Sequence, residues 1–136
     1  SKRALDIAKF NARTHNVNIN FEQIDILSTT YNNKIDMLVC NPPYIPMNEM
    51  DMLMEDVRLY EPKIALTDGY DGLLFYKRIS KLAPTIVKSG GHVILEVGLK
   101  QQPALVKDIF SIQSFTDVQI IPDLNGDLRI MKALIN

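Results

Sequence analysis

The stretch Ile35–Cys40 constrains the fold of this chain more than any other feature of its sequence. It reads as a continuous apolar run, whereas a strand with one face in water alternates between apolar and polar residues. Such a run is typical of a strand covered on both faces, as in a parallel sheet packed between helices. The run ends at Asn41-Pro42-Pro43-Tyr44, and the carboxyl ends of strands are where open α/β sheets bind their ligands. The sequence therefore predicts an α/β fold with a site directly after residue 40.

Helices and strands are predicted to alternate along the rest of the chain, which favours a doubly wound sheet. Apolar residues that recur every three or four positions predict the helices, and alternating or continuous apolar runs predict the strands. The predicted helices are residues 2–14, a segment after Asp71 that buries Leu74, Phe75, Ile79 and Leu82, and residues 103–113; the predicted strands are residues 19–24, 35–40, 92–97, 117–121 and 128–135. Because residues 122–127 are rich in turn formers, the last two strands are expected to pair antiparallel.

Capping and breaking residues refine these boundaries. Ser1 and Asp71 are expected to cap the helices that follow them, and Pro84 is expected to bend or interrupt the second helix. Ser89-Gly90-Gly91 is expected to separate that helix from the next strand. Residues 45–70 form a long connection, with a short helix near residues 51–57, and loops of this length are usually functional or mobile.

Composition narrows the class of function. The chain has 136 residues, a formal net charge of −1 and one cysteine, Cys40, which excludes an internal disulfide and a site of several thiolates. The absence of a basic face weakly favours a protein substrate over DNA. No signal peptide or apolar run of about 20 residues is present, so cytoplasm is the expected location and no membrane partner is expected. His15 and His92 lack the spacing of metal ligands, so no metal site is predicted.

The tetrapeptide Asn41-Pro42-Pro43-Tyr44 suits an enzyme that holds a planar nitrogen while it accepts an electrophile. The lone pair of an amide or exocyclic amino nitrogen is delocalised, and it becomes usable when two acceptors hold the N–H groups out of plane. The side-chain oxygen of Asn41 and the backbone carbonyl of Pro42 can be those acceptors. Pro43 stiffens the loop, and Tyr44 offers a face for stacking or for a cation.

This motif and its surroundings resemble the HemK-type release-factor glutamine methyltransferases, which are class I enzymes that use S-adenosylmethionine. The resemblance covers nearly the whole chain. It is carried, in order, by Asn41–Pro46, Val57–Pro62, Ala65-Leu66, Asp71–Leu73, Leu95–Gly98, Gln101 or Gln102, and Asp123–Arg129. It implies methylation of a glutamine amide in a peptide chain release factor, within a Gly-Gly-Gln motif. Adenine-N6 methyltransferases share the tetrapeptide and remain the enzymatic alternative, and a non-catalytic methyltransferase-like subunit is a second alternative.

The resemblance also implies a Rossmann-like class I methyltransferase sheet of strand order 3-2-1-4-5-7-6, with helices on both faces and an antiparallel C-terminal strand pair. None of the six glycines forms the expected Gly-rich nucleotide loop. Residues 1–136 are therefore expected to be the C-terminal portion of the catalytic domain, lacking the first two strands. We expect an upstream segment to complete the sheet, while direct pairing of residues 19–24 with residues 35–40 and self-association through the exposed edge remain alternatives.

Site residues outside the tetrapeptide are likewise implied by the resemblance. Asp25 and Ile26 would contact the adenine of S-adenosylmethionine, together with Asn41, although Asp25 also suits a helix cap or a solvated turn. Arg58 and Glu61 would bind substrate by locking their loop through an ion pair, which as an exposed pair would be weak. Glu96 is assigned no catalytic role, because methyl transfer to an amide does not require a general base. Asp123, Asn125 and Asp127 are expected to form a hairpin turn.

Overall fold

The computed structural model describes all 136 residues and divides into two compact units, residues 1–30 and 31–136. The first unit contains one helix. The second contains a four-stranded sheet and the remaining helices. The elements are helices α1 (Lys2–Thr14), α2 (Glu55–Tyr60), α3 (Lys63–Leu66), α4 (Leu74–Ile86) and α5 (Gln102–Phe110), a 3-10 helix (Met47–Met52), and strands β1 (Ile35–Cys40), β2 (Val87–Glu96), β3 (Phe115–Pro122) and β4 (Leu128–Ile135).

The sheet has the order β1-β2-β4-β3. β1 and β2 are parallel, whereas β4 runs antiparallel to both β2 and β3. This arrangement corresponds to strands 4-5-7-6 of the expected class I order, including the antiparallel C-terminal pair. The fold class predicted from the sequence is therefore confirmed for the part of the sheet that this chain forms.

The core of the second unit lies where α4 and α5 pack against the sheet. α4 contacts β2, α5 contacts β3 and β4, and the two helices contact each other, so they share one face of the sheet. The sheet side chains beneath them are fully buried, as are several from the helices: Val93, Leu95, Met131 and Ala133 from the sheet, and Tyr76, Ile79, Val106 and Phe110 from the helices. On the opposite face Met37 and Val39 of β1 remain 49% and 66% exposed, so the prediction that this strand is covered on both faces is wrong. The helix-covered face is where burial stabilises this unit.

The strand predicted at residues 19–24 does not form. A strand requires hydrogen bonds from a neighbouring strand, and the first unit contains no strand at all. Direct pairing of residues 19–24 with β1 does not occur either, because β1 pairs with β2 alone and its other edge has no strand beside it. The prediction at these residues was therefore wrong, although its alternating apolar pattern is real.

Several predicted boundaries shift. β2 begins at Val87 rather than at residue 92 and runs through Gly90-Gly91, with an irregularity in its register with β1. α4 continues past Pro84 to Ile86, because a proline in the last turn removes only one helical hydrogen bond. Residues 45–70 hold three short helical segments instead of one.

The N-terminal helix has the predicted bounds and the predicted cap. The Ser1 hydroxyl accepts a hydrogen bond from the Ala4 amide at 3.3 Å, which satisfies one of the free N–H groups of the first turn. The cap predicted at Asp71 is wrong: Asp71 accepts from the Leu73 amide, but Leu73 holds the cap position of α4 without a side-chain cap, and the Leu74 amide donates to Asp68 Oδ2 at 2.9 Å. Leu74 and Phe75, which were predicted to be buried, stay partly exposed, whereas Tyr76 is fully buried. None of the five α-helices has the length and hydropathy that a membrane span requires.

Candidate active site

Four side chains meet at one edge of the sheet because of its topology. Asn41 and Tyr44 follow the end of β1, and Glu96 is the last residue of β2, which runs parallel to β1. Arg129 lies near the start of β4, which runs the other way and therefore begins at the edge where β2 ends. The Val97 amide donates to the Arg129 carbonyl at 2.8 Å, which fixes this register beyond the last strand pair.

The four side chains form one hydrogen-bonded network centred on the Glu96 carboxylate. Asn41 Nδ2 donates to Glu96 Oε2 at 2.9 Å. Tyr44 Oη and an Arg129 guanidinium nitrogen donate to Glu96 Oε1 at 3.0 Å and 2.7 Å. The same Arg129 nitrogen also donates to Tyr44 Oη at 2.8 Å. Both carboxylate oxygens are therefore used, and two of the four motif residues are held by them.

Burial and hydrogen bonding raise the pKa values of two members of this network, Tyr44 and Arg129. Burial raises the pKa of the Tyr44 phenol, so it remains a donor. Burial alone would lower the pKa of Arg129, but its contacts with Tyr44 and Glu96 outweigh that effect and raise it, so the guanidinium stays charged. Its carbon lies 5.3 Å from the centre of the Tyr44 ring, within the range of a cation–π contact.

The Gln102 side chain anchors the backbone around Tyr44. Its amide nitrogen donates to the Tyr44 carbonyl at 2.8 Å and to the Gly72 carbonyl at 3.3 Å, and its oxygen accepts from the Gly98 amide at 2.6 Å. Gln102 is 8% exposed, so its amide group forms hydrogen bonds with these backbone groups instead of with water. The contacts join three loops, those that follow β1 and β2 and the one that precedes α4.

A cavity of about 390 Å³ opens beside the network. Apolar side chains of β1, β2 and β4 line much of it, and the polar residues Asn41, Glu96, Arg129 and Asp123 also reach it. An apolar wall with a few convergent polar groups is typical of a small-molecule site. The predicted hairpin turn lies next to this cavity, where Asp123 Oδ1 accepts from the amides of Asn125 and Asp127.

The tetrapeptide leaves two acceptors free. Asn41 is exposed, and because its Nδ2 faces Glu96, its Oδ1 accepts no hydrogen bond from the protein. The Pro42 carbonyl is likewise without an internal donor, although Pro42 itself is buried. These are the two oxygens that the sequence indicated as acceptors for a substrate nitrogen.

The other predicted site residues lie in different surroundings. Arg58 and Glu61 are exposed in and after α2, and the structure has no ion pair between them, so the predicted lock is wrong; an exposed pair contributes too little to hold two long side chains together. Asp25 accepts from the Leu27 amide at 3.0 Å and from the Ser28 hydroxyl, which makes it a turn-forming residue. Contact of Asp25 or Ile26 with adenine stays a prediction.

Three residues of the candidate site, two in the network and the anchoring Gln102, were not predicted as part of it. Glu96 was assigned no catalytic role, and Arg129 and Gln102 appeared only within the resemblance. The end of β2 lies at the same edge as the end of β1 in any parallel pair, and that rule alone would have placed Glu96 beside Asn41. Arg129 could be found only from the register of an antiparallel strand.

The thiol of Cys40 should react slowly with alkylating agents. Burial raises its pKa above the ordinary value, and the thiolate is the reactive form. We expect the rate of carbamidomethylation by iodoacetamide, followed by mass spectrometry of the peptide containing Cys40, to keep rising with pH above about 8.5, the ordinary pKa of a free cysteine. A rate that levels off below that pH would contradict the prediction. The variant Cys40→Ser, which has no thiol, is the negative control.

Comparison with known proteins gives a consistent family of relatives. A family model described as the methyltransferase small domain matches residues 1–69. The chain is 41% identical over 138 residues to a release factor glutamine methyltransferase of Bacillus subtilis, covering all of this chain and 48% of the relative. Proteins of the same name from Geobacter sulfurreducens and Chlorobaculum tepidum are 34% and 38% identical, covering 99% and 92% of this chain and 47% and 44% of theirs. The chain thus spans about half the length of the curated relatives it matches.

Proposed function

We propose that this chain, which belongs to the family of methyltransferase small domains, is the C-terminal portion of the catalytic domain of a longer enzyme. The enzyme transfers a methyl group from S-adenosylmethionine to the side-chain amide nitrogen of a glutamine in a peptide chain release factor, in the cytoplasm. The names of the relatives support this substrate, and the absence of a basic excess is compatible with a protein substrate.

One observation carries the proposal. Asn41 Oδ1 and the Pro42 carbonyl are two hydrogen-bond acceptors at one strand end, and no donor of the protein uses either of them. A glutamine amide has two N–H groups, and its nitrogen lone pair is delocalised into the carbonyl until those groups are held out of plane. When both N–H groups are held, the nitrogen is oriented for in-line attack, and proximity supplies most of the rate.

The cofactor fits the residues that this chain provides. S-adenosylmethionine, when bound, supplies an electrophilic methyl group on a sulfonium. The cavity beside Asn41 has the mixture of apolar wall and polar groups that such a molecule needs, and Asn41, Asp25 and Ile26 are the proposed contacts of this chain.

The substrate contacts are proposed for the tetrapeptide and the loop after it. Asn41 and Pro42 hold the accepting amide, Pro43 keeps their loop rigid, and Tyr44 stacks on the amide plane. Arg58 and Glu61 are proposed to contact the substrate protein from the following loop.

The reaction is tested directly with the full-length protein. We expect it to add one methyl group from labelled S-adenosylmethionine to a Gly-Gly-Gln peptide, located on the glutamine by tandem mass spectrometry, and none to a matched Gly-Gly-Asn peptide. Double-stranded DNA containing adenine serves as the second acceptor, because the adenine-N6 enzymes share the tetrapeptide. Methylation of the DNA without methylation of the peptide would reject the proposed substrate, and activity on neither would favour a non-catalytic subunit.

A further inference from the structure

Glu96 lies outside the tetrapeptide, on a different strand, and yet it contacts two of the tetrapeptide's side chains. Resting on the proposed function, we infer that Glu96, held by Arg129, is a positioning residue that sets which end of the Asn41 amide faces the substrate. Its role is to present Asn41 Oδ1 as an acceptor and to prevent the side chain from presenting its NH₂ group.

The first step is the chemistry of the contact. A side-chain amide can rotate by half a turn and exchange its oxygen and nitrogen with almost no change in shape. A carboxylate only accepts hydrogen bonds, so the amide of Asn41 must turn Nδ2 toward Glu96 Oε2, 2.9 Å away. The oxygen then faces away from Glu96. A substrate amide or amino nitrogen brings N–H donors, so the opposite orientation would place donors against donors.

The second step is that the carboxylate is itself fixed. Arg129 donates to Glu96 Oε1 at 2.7 Å, and Tyr44 donates to the same oxygen at 3.0 Å. The side chain of Arg129 is 21% exposed and that of Glu96 is 36% exposed, so the ion pair is partly shielded from water. The buried Tyr76 hydroxyl donates to the backbone carbonyl of Glu96 at 2.8 Å, which holds the end of β2 in place.

A double-mutant cycle in the full-length enzyme separates positioning from a merely structural role. Glu96→Gln keeps the shape but adds a donor that can pair with Asn41 Oδ1, so kcat should fall by about tenfold to a hundredfold with the affinity for S-adenosylmethionine unchanged. In an Asn41→Ala background the same substitution should change kcat less than about twofold, because nothing remains to be oriented. Asp108→Asn, an exposed carboxylate-to-amide change on α5, is the matched control and should change neither value.

The orientation of the Asn41 amide can also be tested without an activity assay. The NMR resonances of its NH₂ group report the orientation, and they are identified by their loss in Asn41→Ala. In the wild-type protein these protons should be shifted downfield and exchange slowly, and Glu96→Gln should remove both effects. Equal effects of Glu96→Gln on kcat in the two backgrounds, or unchanged NH₂ resonances, would overturn the inference. If the wild-type protein methylates adenine instead of glutamine, the proposed function fails but the cycle applies to that acceptor, since both bring N–H donors. If it methylates neither acceptor, the NMR resonances of the Asn41 NH₂ group alone test whether Glu96 orients the Asn41 amide.

Discussion

Replacing Asn41 with alanine in the full-length enzyme should lower kcat on a Gly-Gly-Gln peptide by about 10²–10³. The substitution removes the free Oδ1 acceptor at the end of β1 and leaves Glu96 Oε2 without its donor. Loss of one group that stabilises the reacting atoms typically has this effect on rate. The affinity for S-adenosylmethionine, measured by calorimetry, should change by no more than about tenfold, as expected for a single hydrogen bond.

The matched control for Asn41→Ala is Asn33→Ala. Asn33 is an exposed asparagine in the loop before β1, so the same chemical change there should leave kcat and cofactor affinity as they are. A variant at residue 41 that keeps more than half of the wild-type activity would contradict the role of its side chain. Parallel losses of affinity and kcat would instead identify Asn41 mainly as a cofactor contact.

Replacing Gly72 with alanine should destabilise the protein by about 2–5 kcal/mol. Gly72 has a φ of +76°, which costs any other residue backbone strain, and an added Cβ would lie 2.3 Å from the Tyr44 carbonyl oxygen and 2.9 Å from Gln102 Nε2. The loop must therefore move away from Tyr44, or Gln102 must release it. Urea unfolding followed by circular dichroism gives the change in the free energy of unfolding.

Gly69→Ala distinguishes strain from crowding. Gly69 has a similar φ of +82°, but an added Cβ there meets no atom within 4 Å. Its substitution should therefore cost only the backbone strain, about 1–2 kcal/mol. Equal losses at the two positions would show that the close approach to Tyr44 contributes nothing.

The sequence pattern predicted strands correctly where a neighbouring strand is present in the structure, and incorrectly where none is. Ile35–Cys40 was predicted with the bounds that the structure shows, and so was the antiparallel pairing of β3 and β4 through a short turn. Residues 19–24 have an alternating pattern of similar quality, but a pattern cannot supply the hydrogen bonds of a neighbouring strand. Local sequence also missed the start of β2, because Gly90 with a φ of +75° was read as a break when it lies within the strand.

The part of the candidate site that is contiguous in the chain could be proposed from the sequence alone. Asn41, Pro42 and Tyr44 follow one strand, and their chemistry can be read from their order. The hydrogen bond between Asn41 and Glu96 spans 55 positions, and the one between Arg129 and Tyr44 spans 85. Such contacts follow from strand order and register, so no local pattern could have revealed them.

The Gln102 side chain makes the tetrapeptide loop depend on the docking of a helix far along the chain. Tyr44 and Gln102 are 58 positions apart, and Gly72 is 30 positions from Gln102. Any local opening that lifts the first turn of α5 from the sheet frees the loops around Tyr44, Gly72 and Gly98 together. Backbone amides of these loops that are protected from hydrogen exchange can then be no more protected than that opening allows. The residues that would bind the substrate should therefore open and close together with α5, as one cooperative unit.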